Sequence, residues 1–237
     1  MKDYTNLSSQ TQSAVGFDAG LRSFMLKIYN YMALALALSG TIAYFAGTSE
    51  AFLMTVAGNP ILTFIVMLAP LGLVFFLGFR INKMSLQTAQ LTFWIYSALI
   101  GLSLFWIFAA YTQTSVARAF FVTAATFGAV SLYGYTTKRD LTSMGHFMIM
   151  GLIGIIIASL VNIFLHSSAL QFAVSIISVI VFVGLIAYDN QKLKAMYYQT
   201  AGNAEMAGKY AILGALNLYM DFINLFISIL RLVGDRK

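Results

Sequence analysis

Seven long apolar runs, separated by short polar stretches, leave this chain very few folds to choose from. They are Ile28–Gly47, Pro60–Phe79, Leu86–Tyr111, Val116–Tyr135, Ser143–Leu165, Leu170–Tyr188 and Gly208–Leu230. Each approaches or exceeds the roughly 20 apolar residues needed to cross a bilayer as a helix. Only 9% of the 237 residues are charged and 60% are hydrophobic, against roughly 25% charged in an ordinary soluble domain. Such a chain cannot cover a water-facing surface. Inside a bilayer every backbone polar group must be paired, which allows helices or a closed barrel. No run alternates with the period of two that a barrel requires. The fold class expected is therefore an all-α integral membrane protein of seven transmembrane helices. Pro60 opens its helix, where its missing N–H costs little, and Pro70 predicts a kink in mid-helix.

Residues 1–24 are polar and rich in Ser, Thr and Gln. They lack the basic-then-apolar pattern of a cleaved signal peptide. We expect a short cytoplasmic tail there, followed by a single seven-helix domain over residues 25–237. Lys2, Arg22 and Lys27 precede or begin the first run. Arg80 and Lys83 lie between the second and third, Lys138 and Arg139 between the fourth and fifth, and Lys192, Lys194 and Lys209 around the sixth-to-seventh connection. The alternate connections hold only Arg118. The bias of basic residues toward the cytoplasm predicts a cytoplasmic N-terminus in a multi-pass plasma (inner) membrane protein. One group disagrees: Arg231, Arg236 and Lys237 follow the seventh run, on the side that seven crossings would place outside. Either the tail is an exception or the last segment re-enters without crossing. The net charge of +6 follows topology rather than forming a nucleic-acid patch. The absence of cysteine excludes thiolate catalysis and thiolate metal ligands. Ala124/Gly128 and Gly154/Ala158 have the small-residue spacing that permits close helix approach, though ordinary membrane-helix composition explains them as well.

Against this background two acids stand out. The chain has eight; Asp3, Asp18, Glu50, Asp140, Glu205 and Asp235 fall in tails or between apolar runs. Asp189 instead closes the sixth run and Asp221 sits inside the seventh. A charged group at the centre of a membrane helix costs about 2.5–3.5 kcal/mol on the insertion scale, and those retained usually face a bundle interior or a water path. Asn217, Asp221, Asn224 and Ser228 fall at i, i+4, i+7 and i+11, one face of one helix. That stripe is expected to point inward, making the last helix central and its polar residues pore-lining. For Asp189 the alternatives are an interfacial acid paired with Lys192 or a partner for Asp221. For Asp221 they are a structural hydrogen bond to a neighbouring helix or a meeting of the two carboxyls. If the pair meets, both cannot ionise cheaply and they share a proton; ionised, they form a hard oxygen site suited to Ca²⁺. Arg80 reads either as a side chain snorkelling to the interface or as a counter-ion to the aspartates. His146 and His166 are too separated for a metal pair.

Three segments carry a resemblance: Ser131–Leu141 (SLYGYTTKRDL), Ala187–Lys194 (AYDNQKLK) and Leu218–Phe226 (LYMDFINLF). Together they resemble the Bax inhibitor-1 family, also called the transmembrane Bax inhibitor motif family, and most closely its bacterial inner-membrane branch. The resemblance spans the chain from about Gly20. It implies seven helices with the last wrapped by two three-helix layers. It also implies a pH-dependent Ca²⁺ leak in which aspartates matching Asp189 and Asp221 share a proton, with an arginine matching Arg80 as a latch in the closed form. The connection between the last two helices looks longer than in some bacterial relatives.

The functional expectation is thus a pH-sensitive calcium (cation) leak channel, with Ca²⁺ as permeant ion, no tightly bound cofactor and no enzymatic activity. The alternative is a membrane interaction protein that regulates a membrane protease or a stress or cell-death pathway. A monomer in the lipid bilayer, with no nucleic-acid partner, is expected. Tyr188-Asp189 has the form of one intramembrane aspartyl protease motif, but the second would need Gly-x-Gly-Asp and Asp221 follows Leu218-Tyr219-Met220. No lysine lies midway along the seventh run, against a retinal-type receptor.

Overall fold

A computed structural model describes the backbone of residues 4–200 and 203–237, and the side chains from Ala19 onward apart from Ala57 and Asn82. Lys2 and Asp3, counted above in the N-terminal segment, lie outside the described residues. The elements are α1 (Tyr4–Thr48), α2 (Glu50–Ala57), α3 (Pro60–Arg80), a 3₁₀ turn (Ile81–Lys83), α4 (Leu86–Ser103), α5 (Phe105–Ala110), α6 (Gln113–Thr136), α7 (Thr142–Leu165), α8 (Ser168–Gln199) and α9 (Ala204–Val233). Seven helical segments are long and apolar enough to cross a membrane: α1 from Ala19, α3, α4 with α5, α6, α7, α8 and α9. The chain is an all-helical membrane protein, as its apolar runs predict.

Three boundaries differ from the sequence reading. The helix of the first span reaches back to Tyr4, into the polar segment expected as a tail. The third span is interrupted at Leu104, whose N–H bonds both Ile100 and Gly101 carbonyls. The sixth runs eleven residues past Tyr188, to Gln199. Asp189 therefore lies within a helix rather than at its end. At 1.5 Å per residue α8 is about 48 Å long, well beyond the roughly 30 Å hydrocarbon core. Asn59 caps α3 by accepting from the N–H groups of Ile61 and Leu62, at 3.1 and 3.3 Å, just ahead of Pro60. Pro70 is buried within α3, which remains one helix.

Burial orders the spans. In its most apolar window α9 is 67% buried, whereas α7 is 0% and α3 11%. The last helix packs against α1, α4, α6 and α8; α3 packs on α4, and α7 on α8. Leu218, Tyr219, Leu225 and Leu230 of α9 are wholly buried. Large apolar side chains such as Phe79, Phe121 and Phe164 point out of the bundle, as expected where the surrounding solvent is lipid. Close approaches are set by glycines other than those of the small-residue pairs. A Cβ on Gly128 or Gly154 would meet nothing within 4 Å, but one on Gly134 would strike the backbone of Ala187.

The C-terminal segment, whose charges disagreed with the expected topology, packs back on the bundle. Tyr111 and Arg236 form an antiparallel bridge. The Thr112 N–H donates to the Asp235 carbonyl at 3.1 Å, and the Lys237 N–H to the Ala110 carbonyl at 3.0 Å. Ser115 Oγ donates to Asp235 Oδ2 and accepts from its N–H at 2.9 Å. Lys237 Nζ donates to the Phe108 carbonyl at 2.7 Å. Arg231 and Arg236 lie over the Trp106 and Tyr111 rings at 6.0 and 5.8 Å. The tail is fastened to the α5–α6 connection, opposite the end that carries Lys83, Lys138 and Arg139. The seventh segment is long enough to cross, and its three basic residues are held by carbonyls and aromatic faces.

Candidate functional site

α8 ends at Gln199 and α9 begins at Ala204, and the two helices pack face to face. Leu193 packs over Gly214, where a Cβ would come within 2.5 Å of a Leu193 methyl and 3.2 Å of Ile28. Seven residues further along the same face of α9 is Asp221, whose carboxyl lies beside that of Asp189 on α8. Asp221 is 7% exposed, and its Oδ2 is a buried oxygen without a hydrogen-bond partner. Asp189 is half-buried, with Lys192 one turn along the same helix as its nearest cationic influence. Of the two sequence alternatives for Asp189, the structure sets it beside Asp221, and no ion pair joins it to Lys192 among the described residues.

The residues that follow Asp189 fix α8 to its neighbours. Asn190 is wholly buried. Its Oδ1 accepts from Tyr29 Oη of α1 at 2.5 Å, and its Nδ2 donates to Ser131 Oγ of α6 at 3.2 Å and to the Ile186 carbonyl at 2.7 Å. Gln191 accepts from the Leu141 N–H at 2.8 Å and donates to the Arg139 carbonyl at 2.7 Å. Lys194 donates to the Tyr135 carbonyl at 2.6 Å and lies 4.9 Å from the Tyr135 ring centroid. Two helices, α1 and α6, and the α6–α7 connection thereby hold the aspartate-bearing turn of α8. On its other side α9 is anchored by Tyr219, whose Oη is 2.6 Å from Ser39 Oγ, while Ser39 also donates to the Ser97 carbonyl at 2.7 Å. Asn190, Tyr29 and Ser39 were not singled out from the sequence. A polar residue adjoining an apolar run is ordinary by itself, and only the packing shows three helices converging on Asn190.

Two expectations need correction. The polar stripe does not point wholly inward. Asp221 and Ser228 are buried, Asn217 is half-buried and Asn224 is exposed. Residues four apart are rotated by about 40°, so the stripe straddles the edge between the packed and open sides of α9. Ser228 is satisfied by the Asn224 carbonyl at 2.7 Å rather than by a path. Arg80, in turn, does not reach the carboxyl pair. It is exposed at the end of α3, and the ion pair found among the described residues joins Lys209 to Glu205 at 2.9 Å. Since α3 packs on α4, Arg80 is free to extend toward the membrane interface, where its charge is solvated.

No cluster of three or more metal-ligating acids or histidines occurs among the described residues. The two carboxyls offer hard oxygens for transient contact with a cation rather than a closed cage.

Comparison with known proteins places the chain in a family. Residues 21–237 match the family model described as inhibitor of apoptosis-promoting Bax1. A protein of Rickettsia prowazekii is 53% identical with full coverage of both chains. Inner membrane protein YbhL of Escherichia coli K12 is 47% identical over 96% of this chain and 98% of its own. A protein of Caulobacter vibrioides is 43% identical over 100% and 98%. With a matching family model over nearly all of its length and relatives this similar, the chain belongs to the Bax inhibitor-1 family of membrane proteins.

Proposed function

We propose that the protein is a pH-sensitive cation leak, with Ca²⁺ as the permeant ion and the Asp189–Asp221 pair as its gate. The observation that carries this reading is the juxtaposition of two carboxyls from different helices, with Asp221 Oδ2 buried and unpartnered. Two carboxyl groups hydrogen-bond each other only with a proton between them. With that proton in place α8 and α9 are tied together and the bundle is shut. Loss of the proton leaves two anions side by side, and their repulsion favours separation of the helices. The freed oxygens then suit a hard divalent cation. The sign follows: the leak is low at acidic pH and rises as the pair deprotonates. A membrane potential of 100 mV adds about 2.3 kcal/mol per elementary charge to the force on the ion. In this reading such a separation opens the polar edge of α9, Asn217 and Asn224, to water. Arg80 can act as a latch only if α3 moves toward the pair, so the gate is assigned to the carboxyls alone.

The test is dye-reported Ca²⁺ flux into proteoliposomes across roughly pH 6 to 8. Wild type should show a rising flux, and Asp189→Asn and Asp221→Asn should each flatten the profile. A pH profile unchanged in both variants would sink the mechanism. An absence of flux in wild type at every pH would favour a partner-regulating role instead.

A further inference from the structure

The two halves of the bundle do not close over α9 where α1 faces α6. A groove runs there along the outside of the protein. Its first part, about 540 Å³, is lined by Arg22, Leu26, Met32, Phe127 and Gly128 among others. It continues past Met32, Ala33 and Phe127 into a second part of about 520 Å³. Past Gly40, Phe120 and Phe222 it reaches a third part of about 260 Å³, with Phe222 and Ile223 of α9 as its floor. The volumes are in the range of small-molecule sites, yet the groove opens sideways along membrane-spanning helices. An unfilled trough there would forfeit the dispersion contacts of its whole lining.

We infer that the half of this groove nearest the basic connections is a binding site for an anionic phospholipid, one acyl chain lying between α1 and α6 and the phosphate on Arg22. Three observations select this occupant. The lining is mainly apolar, and its one charged residue is Arg22 at one end, exposed with no ion-pair partner among the described residues. From Arg22 to Ala33 is eleven residues of helix, about 16 Å at 1.5 Å each, close to half of the roughly 30 Å hydrocarbon core. The walls are also cut back: a Cβ at Gly128 or Gly40 would meet nothing within 4 Å, so the protein supplies no side chain of its own there. The site adjoins the gate, because Tyr29 and Ser131, which hold Asn190, also line it.

The experiment is lipid retention by the purified full-length protein in mild detergent, read by native mass spectrometry. Phosphatidylglycerol and phosphatidylcholine with identical acyl chains are the probes. Wild type should retain one phosphatidylglycerol in preference to phosphatidylcholine. Arg22→Gln should reduce that preference about fivefold, the equivalent of about 1 kcal/mol per basic residue at the membrane surface. Gly128→Phe should abolish retention of both lipids while leaving the thermal unfolding midpoint unchanged. If it fails to fold, Ala33→Phe fills the opposite wall and serves the same purpose. Equal retention of the two lipids by wild type, or retention unaffected by the groove-filling variants, would overturn the assignment. So would a wild-type dimer that Gly128→Phe dissociates, since a second copy would then be the occupant. None of these readouts depends on ion flux.

Discussion

Asn190 offers the most direct measurement of how the site is held. Replacing it with Leu keeps a branched side chain of similar size but removes the amide that receives Tyr29 and donates to Ser131. Ser131 can recover by turning its hydroxyl to the carbonyl four residues earlier, as Thr123 does to Ala119 at 2.7 Å. Tyr29 makes no other side-chain hydrogen bond among the described residues, and a buried polar group left without a partner costs about 1–3 kcal/mol. Interhelical hydrogen bonds in membranes are weaker on average, about 0.6 kcal/mol with a maximum near 1.7. At 2.5 Å between Tyr29 and Asn190, the upper part of that range applies. We expect Asn190→Leu to lose about 1–3 kcal/mol, and Tyr29→Phe, which strands Asn190 Oδ1, about 1–2 kcal/mol. The double variant should show a coupling energy of about 1 kcal/mol. Reversible SDS-driven unfolding in bicelles, applied to the four proteins of the cycle, measures this directly. Strict additivity of the two single variants would refute the claim that this bond joins α1 to α8.

Further predictions concern packing and topology. Gly134→Val should sharply reduce the yield of folded protein, judged by monodisperse elution in detergent. Even a lone Cβ there would lie 2.9 Å from Ala187 Cα, and backbone cannot yield as a flexible side chain would. Gly128→Ala, whose Cβ meets open space, should leave the yield unchanged. Ser115→Ala removes both of its bonds to Asp235 and should lower stability by about 1 kcal/mol, read as a lowered thermal midpoint. Because the chain has no cysteine, Lys138→Cys and Arg236→Cys provide single labelling sites. Membrane-impermeant maleimide should reach them from opposite faces of sealed vesicles, and labelling from the same face would contradict seven crossings.

Much of this protein was legible in its residues because a bilayer is an unforgiving solvent. Its thickness fixes how long an apolar run must be, and its lack of hydrogen-bonding partners forces each run into a helix. The seven spans, the class of fold and the two anomalous aspartates followed from that alone. The family followed from three short motifs, and the matching relatives agree. Where α8 ends was less legible, since the polar residues after Tyr188 look like a connection. They continue the helix because Asn190, Gln191 and Lys194 each find partners on α1, α6 or the α6–α7 connection. The same reason hid the anchoring role of Asn190.

Periodicity along α9 established which residues share a face, but not what that face meets. The direction of the stripe depends on how completely neighbouring helices wrap α9, so Asn224 proves exposed while Asp221 is buried. Arg80 and the C-terminal basic residues show the same limit. A long cation near a membrane edge can snorkel, pair with an acid or bond a carbonyl, and composition favours none of these. Tertiary structure leaves Arg80 exposed and fastens Lys237 to Phe108. The sequence by itself thus determined what must cross the membrane and which groups are costly there. Only the packing decided which of those groups meet, because contact between distant residues is set by helix register and crossing rather than by the pattern within any one helix.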